Sequence, residues 1–89
     1  MYLHLGQDVV VKTEQVVGIF DLENSTVSKI TRDYLAKATK QGRVVNVSME
    51  MPKSFVVCTG REQQTTVYIS QISAATLRKR TNFLIGLTL

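Results

Sequence analysis

Lysine and arginine are the residues of this 89-residue sequence most clearly suited to a function, namely the binding of anions. Eleven Lys and Arg against seven Asp and Glu give a formal net charge of +4 at pH 7. The charge is uneven, because residues 46–89 hold five of the basic residues but only two of the acidic ones. Excess positive charge favours association with phosphate-rich or acidic partners. Composition therefore predicts an anionic partner, contacted mainly by the second half of the chain.

Three cations fall in predicted loops: Lys12, Lys53 and Arg61. Loop side chains lie outside a packed sheet and can reach phosphate oxygens, which position a protein on DNA without reading its sequence. We therefore predict that these three residues contact double-stranded DNA. Arg43 follows Gly42 at the start of a predicted strand and either joins them or is an ordinary surface arginine.

Three consecutive cations, Arg78, Lys79 and Arg80, occupy a predicted helix near the end of the sequence. Adjacent helical residues point in different directions, so the three side chains cannot all face one partner. Cations near a helix C-terminus also favour the negative end of its dipole. We predict that Leu77, Arg78 and Arg80 contribute to an oligomer interface and that at most one of the three cations faces DNA.

Residues suited to catalysis or metal binding are few. His4 is the one histidine and Cys58 the one cysteine, which disfavours a zinc site within one chain. No glycine-rich phosphate loop or nucleophile elbow is present, and the closest carboxylate pair, Asp21 and Glu23, borders a turn. We predict a protein that is not an enzyme and that has no metal or cofactor.

Cellular location is predicted from the environment of the cysteine and from the lack of a signal peptide or a membrane-spanning segment. Cys58 lies in an apolar run, which indicates a buried, inert thiol in a reducing compartment. The first residues lack the basic and apolar regions of a signal peptide, and no segment has the length of about 20 apolar residues that spans a bilayer. We expect a cytoplasmic protein without a membrane partner.

The pattern of apolar residues predicts one α+β domain over residues 1–89. One amphipathic helix is indicated by Val27, Ile30, Tyr34, Leu35 and Ala38, with Ser25 or Thr26 as N-cap and Gly42 as the stop. A short closing helix is predicted over residues 74–80, capped by Ser73, and the apolar tail Phe83–Leu89 is either disordered or a docking segment. The predicted strands cover residues 2–5, 8–11, 16–22, 43–47, 54–59 and 65–70. The fold class is a small antiparallel or mixed β-sheet with one long amphipathic helix and a short C-terminal helix.

Several blocks of sequence in one order resemble the RemA/RemB family of extracellular matrix regulatory proteins. The resemblance covers roughly residues 1–80 and is carried by Met1–Asp8, Val17–Asp21, Pro52–Val57, Val67–Ser70 and Ser73–Arg80. It implies an α+β domain similar to the LytTR type of DNA-binding domain. It also implies closed rings, DNA bound around the outside through basic residues, and activation of biofilm-matrix genes.

One departure from the A branch of this family affects the expected DNA contacts. That branch has an arginine in the turn before its central strand and an arginine-rich loop before the strand that matches Phe55–Cys58. This sequence has Gln15 in the first place and Glu50–Lys53 in the second, so only Lys53 keeps the charge.

Two hypotheses follow. The first is a non-enzymatic, homo-oligomeric DNA-binding transcriptional regulator of extracellular matrix genes. The second is a ring-forming protein-interaction module that acts through a partner or a paralogue without binding DNA directly.

Overall fold

A computed structural model describes the backbone of residues 1–23 and 28–86 and the side chains as far as Thr81. It contains six strands and two α-helices in these residues. In chain order the elements are β1 (Tyr2–Gly6), β2 (Val9–Lys12), a 3-10 turn (Thr13–Gln15), β3 (Val16–Asp21), α1 (Lys29–Lys40), β4 (Val44–Asn46), β5 (Ser54–Thr59), β6 (Thr65–Ser70) and α2 (Ala74–Gly86).

The strands form two sheets. The larger sheet has the order β3-β5-β6-β4, with β3 and β6 antiparallel to β5 and with β4 parallel to β6. Strands β1 and β2 form a separate antiparallel hairpin. The α+β class and the mixed sheet are confirmed, but we predicted one sheet and the structure has two.

Strand β5 is buried on both faces of the larger sheet. Alternate side chains point to opposite faces of a strand. Accordingly, Phe55 and Val57 belong to a core with α1, whereas Val56 and Cys58 belong to a core with the hairpin and α2. This explains the continuous apolar run of β5, because a strand covered on both sides needs apolar residues at every position.

Helix α1 begins two or three residues later than the sequence predicted. Its N-cap is Ser28, whose hydroxyl oxygen accepts a hydrogen bond from the Thr31 backbone N–H at 3.1 Å. The prediction of Ser25 or Thr26 as the cap is therefore wrong, and those two residues lie outside the described part of the chain.

The C-terminus of α1 confirms Gly42 as the predicted stop. Gly42 has φ +70° and donates to the Thr39 carbonyl at 3.0 Å, while the Arg43 N–H reaches the Ala38 carbonyl, also at 3.0 Å. This pair of bonds is the Schellman arrangement, which a left-handed glycine permits without strain. The turn sends the chain directly from α1 into β4.

Helix α2 is longer than predicted. Ser73 caps it as expected, by accepting from the Thr76 N–H at 3.1 Å, but the helix continues to Gly86 and has 13 residues against 12 in α1. The contrast of one long and one short helix is therefore wrong. Residues 81–85 contain neither Gly nor Pro, so nothing stops the helix before Gly86. Of the tail that we assigned to Phe83–Leu89, residues 87–89 lie outside the described part.

Candidate nucleic-acid interface

The Lys53 side chain is exposed at the end of an anchored loop. The loop joins β4 to β5. At its start the Val47 N–H donates to the Ile69 carbonyl (2.9 Å), and at its end the Lys53 N–H donates to the Ser70 carbonyl while the Lys53 carbonyl accepts from Leu22 (both 2.9 Å). Both ends are therefore held by the sheet, and the residues between them project into solvent.

Two fully buried serines fix the position of this loop relative to the rest of the molecule. The Ser54 hydroxyl donates to the Ile72 carbonyl and the Ser70 hydroxyl to the Leu5 carbonyl, each at 2.7 Å. Ser70 also accepts from the Ile72 N–H at 3.0 Å. These bonds join the larger sheet to the hairpin and to the segment that leads into α2.

Arg61 lies at the opposite end of β5 from Lys53. It is exposed in the β5–β6 turn, where the Gly60 N–H donates to the Gln64 carbonyl at 2.9 Å and Gln63 has φ +59°. At roughly 3.3 Å per residue, the seven steps from Lys53 to Gly60 span about 23 Å. One copy of the chain therefore cannot place Lys53 and Arg61 on the same phosphate.

Lys12 is exposed at the end of β2, opposite Tyr2 in the hairpin register. The 3-10 turn that follows it leads to Val16, which pairs with Cys58 near the β5–β6 turn. Lys12 therefore lies toward the Arg61 end of the sheet. Of the three predicted contacts, the topology places two toward one end and Lys53 at the other.

Arg43 is held by contacts within the chain at the end of the sheet that carries Arg61, and no local pattern distinguished it from an ordinary surface arginine. Its Nε donates to Gln41 Oε1 at 2.7 Å, its Nη1 donates to the Thr65 carbonyl at 3.3 Å, and its guanidinium carbon lies 6.0 Å from the centre of the Tyr34 ring. These contacts fix the guanidinium and leave its remaining N–H groups available to a ligand.

A shallow, mainly polar groove adjoins Arg43. Its lining includes Gly42 and Arg43 on one side and Gln63, Gln64 and Thr65 on the other, so the end of α1 and the β5–β6 turn share one surface. The last turn of α1 contributes Lys37 and Lys40, both exposed. We call Lys37, Lys40, Arg43 and Arg61 the basic end of the sheet.

The residues predicted for the oligomer interface make contacts within their own chain. Leu77 has 0% exposure and packs in the core with the hairpin. Arg78 Nη2 donates to the Ile19 carbonyl at 2.6 Å, and Arg80 Nη1 donates to the His4 carbonyl at 3.2 Å. The two arginines thus tie α2 to β3 and β1, and their part in a subunit contact stays a prediction.

The cations are not neutralised by contact with carboxylates in the described part of the chain. One ion pair is present there, at 3.2 Å between the Met1 ammonium and Glu14. Hydrogen bonds from the Thr13 hydroxyl and from that ammonium hold the pKa of the Glu14 carboxyl below its usual value. The basic end is thus available to an external anion.

The remaining reactive groups have structural surroundings. Burial raises the pKa of the Cys58 thiol to about 11, so the thiol is protonated at neutral pH. His4 Nε2 lies 2.8 Å from the Gln7 carbonyl in the hairpin turn. Within residues 1–23 and 28–86 no cluster of three His, Cys, Asp or Glu could hold a metal ion. Neither helix in those ranges combines the length and apolar character needed to cross a membrane.

Comparison with known proteins identifies relatives. Residues 2–81 match the model of the RemA-like family, described as extracellular matrix regulatory protein A-like. The chain is also 39% identical over 84 residues to extracellular matrix regulatory protein B of Bacillus subtilis (strain 168), and the match covers 94% of each chain. The resemblance noted in the sequence is confirmed. This chain belongs to the RemA-like family of extracellular matrix regulatory proteins.

Proposed function

We propose that the chain is a non-enzymatic regulator that binds duplex DNA as a homo-oligomer and controls transcription of extracellular matrix genes. The observation that carries this proposal is the basic end of the sheet, where a fixed arginine lies toward the same end as three exposed cations, none with a carboxylate partner among the described residues. Membership of a family of matrix regulators supports the regulatory part.

Contacts with the phosphate backbone form the proposed mode of binding. Arg43 presents a fixed guanidinium, a geometry that suits the bidentate binding of phosphate oxygens. Lys12 and Arg61 add positive charge toward the same end of the sheet, and Lys53 forms a separate contact about 23 Å away along β5. These residues would position the protein on DNA and supply little base readout.

Oligomerisation would make these phosphate contacts numerous enough for tight binding to DNA. A single +4 chain neutralises few phosphates, whereas a ring repeats each contact around its circumference. Because each neutralised phosphate releases counterions, the affinity of the oligomer should fall steeply with salt concentration. The separation between Lys53 and the basic end also suits an oligomer, in which the two surfaces of different copies can follow one duplex.

A salt titration of binding to a mixed-sequence duplex, with molecular mass measured in the same buffers, tests this function. We expect a steep decrease in affinity with salt from an oligomer. Arg43→Gln and Lys53→Gln should each make the dependence on salt shallower without changing the mass. Asp33→Asn, on the exposed face of α1, is a control that changes one charge in the opposite direction.

Absence of binding at low salt from an intact oligomer would refute the DNA-binding function. It would favour the second candidate, a ring-forming module that acts through a protein partner or a paralogue. The observation in favour of that candidate is exposed apolar surface, including Val17, Ile30, Met49 and Met51, which are between 66% and 102% exposed. Mass measurement of mixtures with candidate partners would detect mixed assemblies.

A further inference from the structure

The β5–β6 turn, residues 60–64, lies between cations on its two sides. In the strand order β3-β5-β6-β4 the turn joins the two central strands. Arg43 immediately precedes the edge strand β4, and Lys12 precedes the 3-10 turn that leads into the edge strand β3. With about 4.8 Å between neighbouring strands, the two edges are roughly 14 Å apart, close to the width of about 12 Å of the DNA major groove. The cations therefore suit the two phosphate backbones that border a major groove, with the turn between them.

The side chains of the turn suit base edges better than phosphates. Arg61 and the adjacent Glu62 are both exposed, so their charges cancel. Gln63 and Gln64 are also exposed, and each side-chain amide offers two N–H donors and one acceptor oxygen. Phosphates present acceptors only, whereas base edges in the major groove present both donors and acceptors. The turn therefore matches the floor of the groove, and the cations beside it match the backbones.

Gln63 adopts a backbone conformation that favours glycine. Its φ is +59°, in the left-handed region that is uncommon for residues with a side chain. The turn is closed by backbone hydrogen bonds, from the Gly60 N–H to the Gln64 carbonyl at 2.9 Å and from the Gln63 N–H to the Gly60 carbonyl at 3.1 Å. Turn geometry therefore does not account for a glutamine here. Residues held in such conformations cluster at functional sites.

We propose that the β5–β6 turn enters the major groove of duplex DNA and that Gln63 and Gln64 recognise adenine there. The inference rests on the DNA-binding part of the proposed function and adds the sequence recognition that the cations do not supply. A glutamine amide donates to N7 of adenine and accepts from its N6 amino group, a bidentate contact that the other bases do not match. The site should therefore contain adenine at one or two fixed positions.

The polar groove beside the turn fits one strand of the duplex. Gly42 and Arg43 form one side of this groove, and Gln63 and Gln64 form the other. Two hydrogen bonds within the chain hold the Arg43 guanidinium, whose remaining N–H groups suit a phosphate of that strand. A Cβ atom on Gly42 would meet no atom within 4 Å, so this side has room for the sugar–phosphate backbone. The amides would then contact bases of the strand whose phosphate binds Arg43.

The test measures sequence preference separately from general affinity. Duplexes with a randomised central segment are bound to the wild-type protein, recovered and sequenced. We expect enrichment of adenine at fixed positions and tighter binding of the enriched duplex than of a mixed-sequence duplex. In Gln63→Gly/Gln64→Ala this advantage should fall at least about tenfold, because the bidentate contacts are lost. Binding of the mixed-sequence duplex and its dependence on salt should not change, because the phosphate contacts remain.

Gln7 provides a matched control. It is also an exposed glutamine with positive φ, +47°, but it lies in the turn between β1 and β2. Gln7→Gly therefore removes the same amide from a similar backbone conformation and should keep the preference for adenine. Arg43→Gln should weaken binding to the enriched and mixed-sequence duplexes alike, because phosphate contacts carry no sequence information.

Replacement of the enriched adenines by 7-deazaadenine locates the contact. This base lacks the N7 acceptor on the major-groove edge and keeps its Watson–Crick pairing. It should weaken binding of the wild-type protein to the enriched duplex and have no further effect on Gln63→Gly/Gln64→Ala. An equal loss of affinity in both proteins would place the recognition of adenine on other residues and overturn the inference.

Three further results separate this inference from the proposed function. A wild-type protein that binds DNA without enriching adenine would overturn the inference and leave the DNA-binding function standing. The same holds for a glutamine variant that keeps the full preference, or for one that also loses the mixed-sequence duplex, since the turn would then be a general contact. Absence of binding to any duplex at low salt, from an intact oligomer, would refute the proposed function and this inference with it.

Discussion

The two faces of the four-stranded sheet differ in how completely the chain covers them. On one face the hairpin and α2 enclose Leu3, Leu5, Val56 and Leu77, each at most 1% exposed. On the other face α1 packs over Phe55, Val57 and Val67, while β3 keeps exposed apolar side chains. The first face is therefore the more completely covered of the two, and the residues that the structure describes leave an exposed apolar strip beside β3.

Leu77→Ala should have the largest effect on the free energy of unfolding. Leu77 is fully buried between α2 and the hairpin, so truncation removes buried methyl groups and leaves a cavity. We expect a loss of about 3 kcal/mol, measured by denaturant unfolding. If Leu77→Ala lowers the free energy of unfolding no more than an exposed substitution such as Thr76→Ala, the covered face is not the main source of stability.

Ser70→Ala should have the second largest effect. The substitution leaves the buried Leu5 carbonyl without its donor and the Ile72 N–H without its acceptor. An unsatisfied buried polar group costs about 1–3 kcal/mol, and we expect about 2 kcal/mol here. Ser48→Ala, which affects only a hydrogen bond in the exposed β4–β5 loop, is the matched control and should change stability much less.

Arg78→Gln should have a smaller effect, below about 1 kcal/mol, because the hydrogen bond to Ile19 is at the surface, where water can replace it. Lys79→Gln controls for the loss of charge on the same helix. If Arg78→Gln instead dissociates an oligomer while the stability of the chain is unchanged, the predicted interface role of Arg78 would be supported.

Ile30→Ser should have the smallest effect on unfolding, within about 0.5 kcal/mol, because the side chain is already 82% exposed. Its effect on self-association should be much larger. Unfolding and self-association should both be measured on this variant. A substitution on the fully covered face of the sheet is expected to change stability, whereas a substitution on the exposed strip beside β3 is expected to change assembly. A marked loss of monomer stability would place Ile30 in the core instead.

Local patterns predicted most of the secondary structure. The strand over residues 54–59, the Gly42 stop and the Ser73 cap depend on neighbouring residues, and the structure has each of them. The start of α1 was missed because the segment offers several capping residues in succession. The end of α2 was missed because the apolar sequence after Arg80 resembles a strand or a tail as much as a helix.

The candidate site was less predictable because it depends on contacts between distant residues. Nothing local shows that Lys53 and Arg61 lie at opposite ends of one strand, or that Arg43 contacts Thr65, 22 residues away. Similarly, the three cations of α2 indicated an interface, although Arg78 and Arg80 contact backbone atoms 59 and 76 residues away. The sequence lists the cations of the chain but does not give their arrangement in space.

The buried thiol of Cys58 can serve as a natural probe of conformational opening. The sequence contains no other cysteine, the side chain is 5% exposed, and its pKa of about 11 keeps the reactive thiolate scarce at neutral pH. Alkylation should therefore proceed only when β5 separates from the hairpin or α2. Labelling rates followed by mass spectrometry would time these openings without an engineered probe, and a slower rate in the assembled state would measure how strongly association protects the centre of the sheet.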